Sequence, residues 1–95
     1  PPLEIVRACS KALDVIREFA AKGSRLAISD AGCAAVLCKA AMRAAALNVY
    51  INTKSMMDRT YAEELNREVE CLLDQYCDLA EEIYREVRSN LINNG

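Results

Sequence analysis

The spacing of apolar residues predicts three long helices and no strand. In the first, about residues 3–22, apolar residues recur at steps of three and four, as on one face of a helix. This stripe consists of Val6, Cys9, Leu13, Ile16 and Ala20, widened by Ile5, Ala12 and Phe19. Lys22 followed by Gly23 is typical of a helix ending, because glycine can adopt the positive φ that often closes a helix.

The second predicted helix, about residues 30–53, is rich in alanine and apolar almost all round. Either Ser29 or Asp30 can cap its first free N–H groups. A helix that is apolar on nearly every side is usually buried on most of them. We therefore expect this helix to be the central one of the protein.

The third predicted helix, about residues 59–93, follows a break in the pattern at residues 53–58, and Asp58 is a plausible cap for it. Its expected core positions, spaced by three and four, are Leu65, Val69, Leu72, Tyr76, Leu79, Ile83, Val87 and Leu91. Because the connections are short, the sequence predicts an all-α fold in which residues 1–95 form one antiparallel bundle of three long helices.

Composition and charge exclude several classes of function. The 95 residues include 12 basic and 14 acidic ones, a balance that argues against electrostatic binding to nucleic acid or to an anionic membrane. No uncharged run reaches the ~20 residues that a membrane span needs.

Five cysteines, an odd number, all lie in helical patterns, so we expect buried, reduced thiols and a cytoplasmic protein. The chain has no histidine, which removes the commonest general base, and its cysteine spacing fits no metal site.

A helical wheel of the second helix separates two polar stripes. Lys39, Arg43 and Tyr50 share one stripe, which we expect to face solvent. Asp30, Asn48 and Asn52 lie on the opposite side, which we expect to be buried together with Ala34, Leu37, Ala41 and Ala45. Buried polar groups need partners. This side therefore either lines a polar ligand pocket, or consists of a capping aspartate and two asparagines bonded to backbone.

The length of the second helix suggests an oligomer. Asp30 and Asn48 are 18 residues apart, or about 27 Å along one helix, so they cannot share a pocket within one chain. Two such helices packed antiparallel could bring Asp30 of one subunit near Asn48 of another. We also expect association on other grounds, because three helices leave part of an all-apolar member uncovered.

The segment from Gly23 to Asn52 resembles the cyclodeaminase/cyclohydrolase family, which includes the formimidoyltetrahydrofolate cyclodeaminase domain and bacterial methenyltetrahydrofolate cyclohydrolases. The resemblance rests on a glycine-containing break, Ser29-Asp30 near a helix start, a small-residue helix, and the ending Asn-Val-Tyr-Ile-Asn over residues 48–52. Members of that family are about twice as long and begin with a glycine-rich segment. The resemblance thus implies that this chain corresponds to the C-terminal half of a larger helical domain.

The resemblance implies one-carbon folate chemistry on a tetrahydrofolate derivative, with no covalently bound cofactor and no metal. It points to Asp30 as the catalytic carboxylate and to Ser29, Asn48 and Asn52 as substrate-binding residues, with Lys39 or Arg43 available for the glutamate tail. A homodimer or higher homo-oligomer is implied. The choice between formimidoyl and methenyl substrates, and the identity of a second acid/base group, stay open. We expect the 95 residues alone to be inactive.

Two alternatives to a folate enzyme remain from the sequence. The first is a non-catalytic helical oligomerisation module that keeps the family fold, which the absence of histidine favours. The second is a helical mutase of the chorismate type, which has a similar length and three helices. That class binds a dicarboxylate with several buried cations, whereas the basic residues here lie mostly on stripes expected to be exposed.

Overall fold

The computed structural model describes residues 1–22 and 25–93, and within them the side chains of all residues except Phe19, Ala21, Lys22, Arg25 and Leu26. These ranges form three helices, α1 (Pro2–Lys22), α2 (Arg25–Lys54) and α3 (Arg59–Asn93), and contain no strand. The predicted all-α fold of three long helices is confirmed. The bundle is elongated, measuring 54 × 18 × 16 Å along its principal axes.

The helix bounds agree with the sequence pattern except at the start of α2. α2 begins at Arg25, five residues before the expected Asp30, so its first turn lies in the segment expected to connect it to α1. The cap of α3 is as expected: Asp58 accepts a hydrogen bond from the backbone N–H of Tyr61 at 3.0 Å. The role expected of Gly23 in ending α1 lies outside the described residues.

Contacts between α1 and α3 establish the direction of the helices. The Arg7 guanidinium donates two hydrogen bonds to the Glu68 carboxylate, at 2.7 and 2.9 Å. Further along, the Tyr76 hydroxyl donates to Asp14 Oδ2 at 2.9 Å. Because both partners advance together along the chain, α1 and α3 are parallel, and α2 runs antiparallel between them as the short connections require.

The corner between α2 and α3 is held by polar contacts. Arg59 donates to the carbonyl oxygens of Thr53, at 2.7 Å, and Met56, at 2.9 Å. The buried Thr53 hydroxyl is 2.7 Å from Asn66 Oδ1. These bonds satisfy carbonyls that the end of a helix leaves unpaired, so the corner is closed within the chain itself.

The core lies where α2 contacts both neighbours, and it uses only one side of α2. This inner face comprises the buried residues Ala31, Ala35, Met42, Ala45, Ala46 and Val49. They pack with Val6 and Leu13 of α1 and with Val69, Leu79, Ile83 and Val87 of α3, among others. The core stripes expected for α1 and α3 are thus largely confirmed, although Ile5 is exposed.

The opposite side of α2 is open, so the expectation that this helix is buried on most sides is wrong for this chain. The outer face comprises the exposed residues Cys33, Val36, Leu37, Ala40, Ala41, Ala44, Leu47, Asn48, Ile51 and Asn52. Three large apolar side chains on it, Leu37, Leu47 and Ile51, are 69%, 64% and 67% exposed. Two helices can cover only one side of a third, and the remaining apolar side is left uncovered.

One helical stretch, Ala27–Lys54, has the length and hydropathy of a helix that could cross a membrane. The central helix of a water-soluble bundle meets the same criteria. α2 also carries Asp30, Lys39 and Arg43 within this stretch, and charged groups near the middle of a span are costly. Only 28% of this apolar stretch is buried inside the structure, so most of its surface is uncovered in the chain.

Candidate active site on the second helix

The residues singled out from the sequence lie at the edge of the outer face. Asp30, Asn48 and Asn52 are exposed, and Ser29 is half-buried. The expectation that their side of α2 is buried is therefore wrong for this chain, although Ala45 beside them is buried. The reason is geometric: the docked sector of α2 lies between the two polar stripes, so both stripes flank the inner face.

The second stripe was expected to face solvent, and for two of its members this is wrong. Lys39 Nζ donates to Glu81 Oε1 of α3 at 2.9 Å, and its side chain is three-quarters covered. The hydrogen bond from Lys39 lowers the pKa of the Glu81 carboxyl. Because this charge is already paired, Lys39 is a poor choice for the glutamate tail of a folate, whereas Arg43 is exposed as expected.

Tyr50 is the other member of that stripe that packs inward. Its hydroxyl is buried and completes no hydrogen bond with the described residues. Burial, followed by repulsion from the Glu70 carboxylate, raises the pKa of Tyr50. The Glu70 and Asp74 carboxylates thus lie close enough to this hydroxyl to act on it, so its surroundings are not purely apolar.

Asp30 is not the cap of α2. The free N–H groups of a helix belong to its first four residues, here 25–28, and Asp30 follows them. Its carboxylate is exposed and has no hydrogen bond or ion pair with any residue in the described part of the chain. The capping interpretation is therefore wrong for Asp30, whose carboxylate is exposed at the border of the outer face.

The two asparagines lie near the other end of α2. The Asn48 side-chain amide donates to the carbonyl oxygen of Ala44, one turn earlier, at 3.2 Å, so one of its two N–H donors is used within its own helix. Asn52 is one turn further on and equally exposed. As the helix geometry requires, the chain does not bring Asp30 and Asn48 together: 18 residues of helix separate them by about 27 Å.

The structure adds a feature that the sequence interpretation missed. A groove of about 540 Å³ runs between the first half of α2 and the last third of α3. Its lining residues are Ser29, Gly32, Cys33, Val36, Leu37, Tyr84, Val87, Arg88, Leu91 and Ile92. Of the predicted site residues only Ser29 lines it. Gly32 was the available signal, since glycine inside an apolar helix often marks close approach of another element.

The chain offers no metal site in its described part, where no three acidic or cysteine side chains converge. All five cysteines are free. The expectation that they are buried is right for Cys77 and wrong for Cys33 and Cys71, which are exposed. Burial, with Cys9 beside it, raises the pKa of the Cys38 thiol and keeps it protonated.

Comparison with known proteins supports the resemblance noted in the sequence. The sequence profile of the family described as formiminotransferase-cyclodeaminase matches residues 1–71. A methenyltetrahydrofolate cyclohydrolase from Methylorubrum extorquens is 43% identical over 90 residues. That match covers 95% of this chain and 43% of the relative, so the chain spans less than half the length of the curated protein that it matches.

Proposed function

Since the chain belongs to the formiminotransferase-cyclodeaminase family, we propose that it acts in one-carbon folate metabolism. The favoured activity is that of a methenyltetrahydrofolate cyclohydrolase, with formimidoyltetrahydrofolate cyclodeaminase as the related possibility. One observation carries the choice: 43% identity to a methenyltetrahydrofolate cyclohydrolase extends over nearly the whole chain, including Ser29 to Asn52. We further propose that the protein is cytoplasmic and that this chain corresponds to the C-terminal half of the family's helical domain.

The chemistry needs a group that moves protons at the reacting carbon. In the cyclohydrolase reaction, water adds to the carbon between N5 and N10 and loses a proton. The hydroxyl group on the resulting tetrahedral carbon then gives up its proton as the bond to N5 breaks, N5 takes up a proton, and 10-formyltetrahydrofolate remains with one proton released overall. A free carboxylate suits both proton transfer and stabilisation of the cationic bridge. Asp30 is exposed and unpaired in the described chain, and we assign it this role.

Substrate binding is assigned to three polar residues at the two ends of α2. Ser29 precedes Asp30 on α2, while Asn48 and Asn52 offer amide groups that can orient the pterin by hydrogen bonds. Because about 27 Å of helix separates Asp30 from Asn48, both can act at one site only if a second polypeptide surface approaches α2. The proposed site therefore depends on association.

Association is proposed as a homodimer or higher homo-oligomer through the outer face of α2. This face presents Leu37, Leu47 and Ile51 to solvent around the small residue Ala41. Contiguous exposed apolar patches of this kind mark sites of protein contact. Two outer faces packed antiparallel about residues 39–40 would place Asp30 of one copy opposite Asn48 of the other, which joins the two halves of the site.

The second candidate is a non-catalytic oligomerisation module with the family fold. It is favoured by the absence of histidine and by the separation of the polar residues within one chain. The two candidates differ in one respect that can be measured: only the enzyme requires Asp30 for turnover. The chorismate mutase type is set aside, because the chain belongs to another family and Lys39 and Arg7 are paired with carboxylates of α3.

The test is a direct assay of the complete gene product. The protein is incubated with 5,10-methenyltetrahydrofolate while loss of the methenyl absorbance is followed, and with 5-formimidoyltetrahydrofolate while that absorbance appears. Turnover above the uncatalysed rate in the first assay supports the cyclohydrolase, and in the second the cyclodeaminase. No turnover in either assay, from a folded and assembled protein, would favour the oligomerisation module. The 95-residue chain run in parallel is expected to assemble and to be inactive.

A further inference from the structure

The groove between α2 and α3 has a floor created by one close helix contact. Gly32 is buried, and a Cβ atom placed on it would lie 2.9 Å from a methyl group of Val87. The two helices are therefore close here, while further out the larger side chains of Val36, Leu37 and Tyr84 form walls. The groove that results has a volume of about 540 Å³, which is within the usual size range of small-molecule pockets.

The chemistry of the lining is apolar with a positive charge. Among the lining residues the polar groups belong to Ser29, Tyr84 and Arg88, and no acidic residue is present. Arg88 makes no hydrogen bond or ion pair with any residue in the described part of the chain. By contrast, Arg85, one turn earlier on α3, is paired with Glu81.

An apolar groove with an unpaired guanidinium fits an aromatic ligand that carries a carboxylate. The ring can lie against aliphatic and tyrosine side chains, and a guanidinium binds a carboxylate with two parallel hydrogen bonds. Lys39 is already paired with Glu81, and Arg43 does not line the groove. Arg88 is therefore the lining residue best suited to a carboxylate.

Resting on the proposed folate function, we propose that this groove binds the aminobenzoyl-glutamate part of the substrate, with Arg88 holding a tail carboxylate. Ser29 lies at the edge of the groove, one residue before Asp30. Asp30 itself does not line the groove, so a folate whose tail lies there reaches the proposed catalytic carboxylate only if its reacting end leaves the groove past Ser29. Arg88 is a specificity-determining residue in this arrangement.

Cys33 makes the proposal testable without turnover. It is exposed and lines the groove, whereas the equally exposed Cys71 of α3 lies outside it. Alkylation of both thiols is followed by mass spectrometry at increasing concentrations of p-aminobenzoyl-L-glutamate, in the Ala41→Lys variant of the 95-residue chain, whose outer face is expected to stay uncovered by a second copy. We expect saturable protection of Cys33 and none of Cys71. p-Aminobenzoate, which lacks the glutamate, should protect Cys33 only at much higher concentrations.

Two variants separate the carboxylate contact from general effects on the fold. Arg88→Gln should raise the concentration for half-protection by about tenfold or more, since a charge-assisted pair is lost. Arg67→Gln removes an exposed arginine of α3 outside the groove and should leave protection unchanged. Circular dichroism of both variants confirms that they are folded before labelling.

Three results would overturn the proposal. They are equal protection of Cys33 and Cys71, unchanged protection in Arg88→Gln, and a Cys33 that stays unreactive in the folded chain while Cys71 reacts. The last would mean that polypeptide fills the groove. Failure of the folate function gives a different pattern, because the complete gene product would then lack turnover whatever the labelling shows. If the complete gene product turns over substrate but Arg88→Gln leaves the protection of Cys33 unchanged, the folate function is retained and the proposed binding in the groove is rejected.

Discussion

The inner and outer faces of α2 are built from the same small and aliphatic residues, yet they have opposite surroundings. Ala35 and Met42 on the inner face are fully buried, while Ala41 and Leu47 on the outer face are exposed. Residues of the same kind on one helix thus differ in burial only because α1 and α3 pack against one side of α2 and leave the other side open. Composition alone therefore does not identify the core of this protein, and the uncovered face is the one that carries Asn48 and borders Asp30.

The polar side chains of α2 also differ between the sides that contact the other helices and the outer face. On the sides that contact α3, Lys39 is bonded to Glu81 and Thr53 to Asn66, so these groups stabilise the chain itself. Asp30, at the border of the outer face, has no partner in the described chain. Asp30 is therefore available for the catalytic role proposed above.

The strongest test of this comparison is the same substitution on each face. Ala35→Lys places a charge in the core, at a cost of several kcal/mol against a total stability of about 5–15 kcal/mol, so we expect an unfolded chain. Ala41→Lys should change the free energy of unfolding by about 0.5 kcal/mol or less, because the side chain is exposed. It should instead dissociate the assembly. Circular dichroism and sedimentation measure the two effects, and an Ala41→Lys protein of unchanged mass would show that the outer face is not the interface.

Much of the fold follows from sequence periodicity. The heptad-like spacing of α3 identifies Val69, Leu79, Ile83 and Val87 as core, because one helix packed on two others needs a single apolar stripe. The same use of periodicity fails for α2, because its apolar residues surround the helix and form no single stripe. The missed start at Arg25 has a related cause: Ser29-Asp30 has the composition of a cap but lies inside the helix.

The site is less predictable than the fold. Asp30 and Ser29 were identified by their resemblance to a family motif, which carries information on chemistry that periodicity lacks. Arg88 and Tyr84 could not be identified in this way, because they reach the groove only through the packing of α3 against Gly32. On their own helix they belong to a charged face with the composition of an ordinary solvent-exposed surface.

Asp30→Asn sharpens the comparison by testing a single group at the border of the outer face. The change retains size and hydrogen bonding but removes the charge, so turnover by the complete gene product should fall by ~10²-fold or more. The free energy of unfolding should change by less than about 0.5 kcal/mol, since Asp30 caps nothing and is exposed. Glu63→Gln, an exposed carboxylate of α3, is the control. Equal turnover in both variants would remove Asp30 from the mechanism.

Gly32→Ala tests the tight contact between α2 and α3 at the floor of the groove. The new methyl group would collide with Val87 at 2.9 Å, and overpacking of this kind costs about 1–3 kcal/mol. Alanine in place of glycine regains about 1 kcal/mol of helix propensity. We therefore expect a net loss of about 1 kcal/mol in thermal unfolding. Val87→Ala in the same chain should relieve the collision, and strictly additive effects would show that the contact is not tight.

The smallest expected effect concerns the ion pair between Arg7 and Glu68, which belongs to neither face of α2. The hydrogen bond from Arg7 lowers the pKa of Glu68, so the pair stabilises the fold above the unfolded-state pKa of about 4.3. That contribution is lost as the pH falls through the lower, folded-state pKa. Both side chains are well exposed, and salt screens such pairs, so the loss should be small and should shrink as salt is added. Thermal unfolding of Glu68→Gln between pH 7 and pH 3 should therefore depend on pH slightly less than that of the parent chain, with Glu63→Gln as the unpaired control. A Glu68→Gln chain with the same acid dependence as the parent would show that the bond between α1 and α3 contributes nothing in solution.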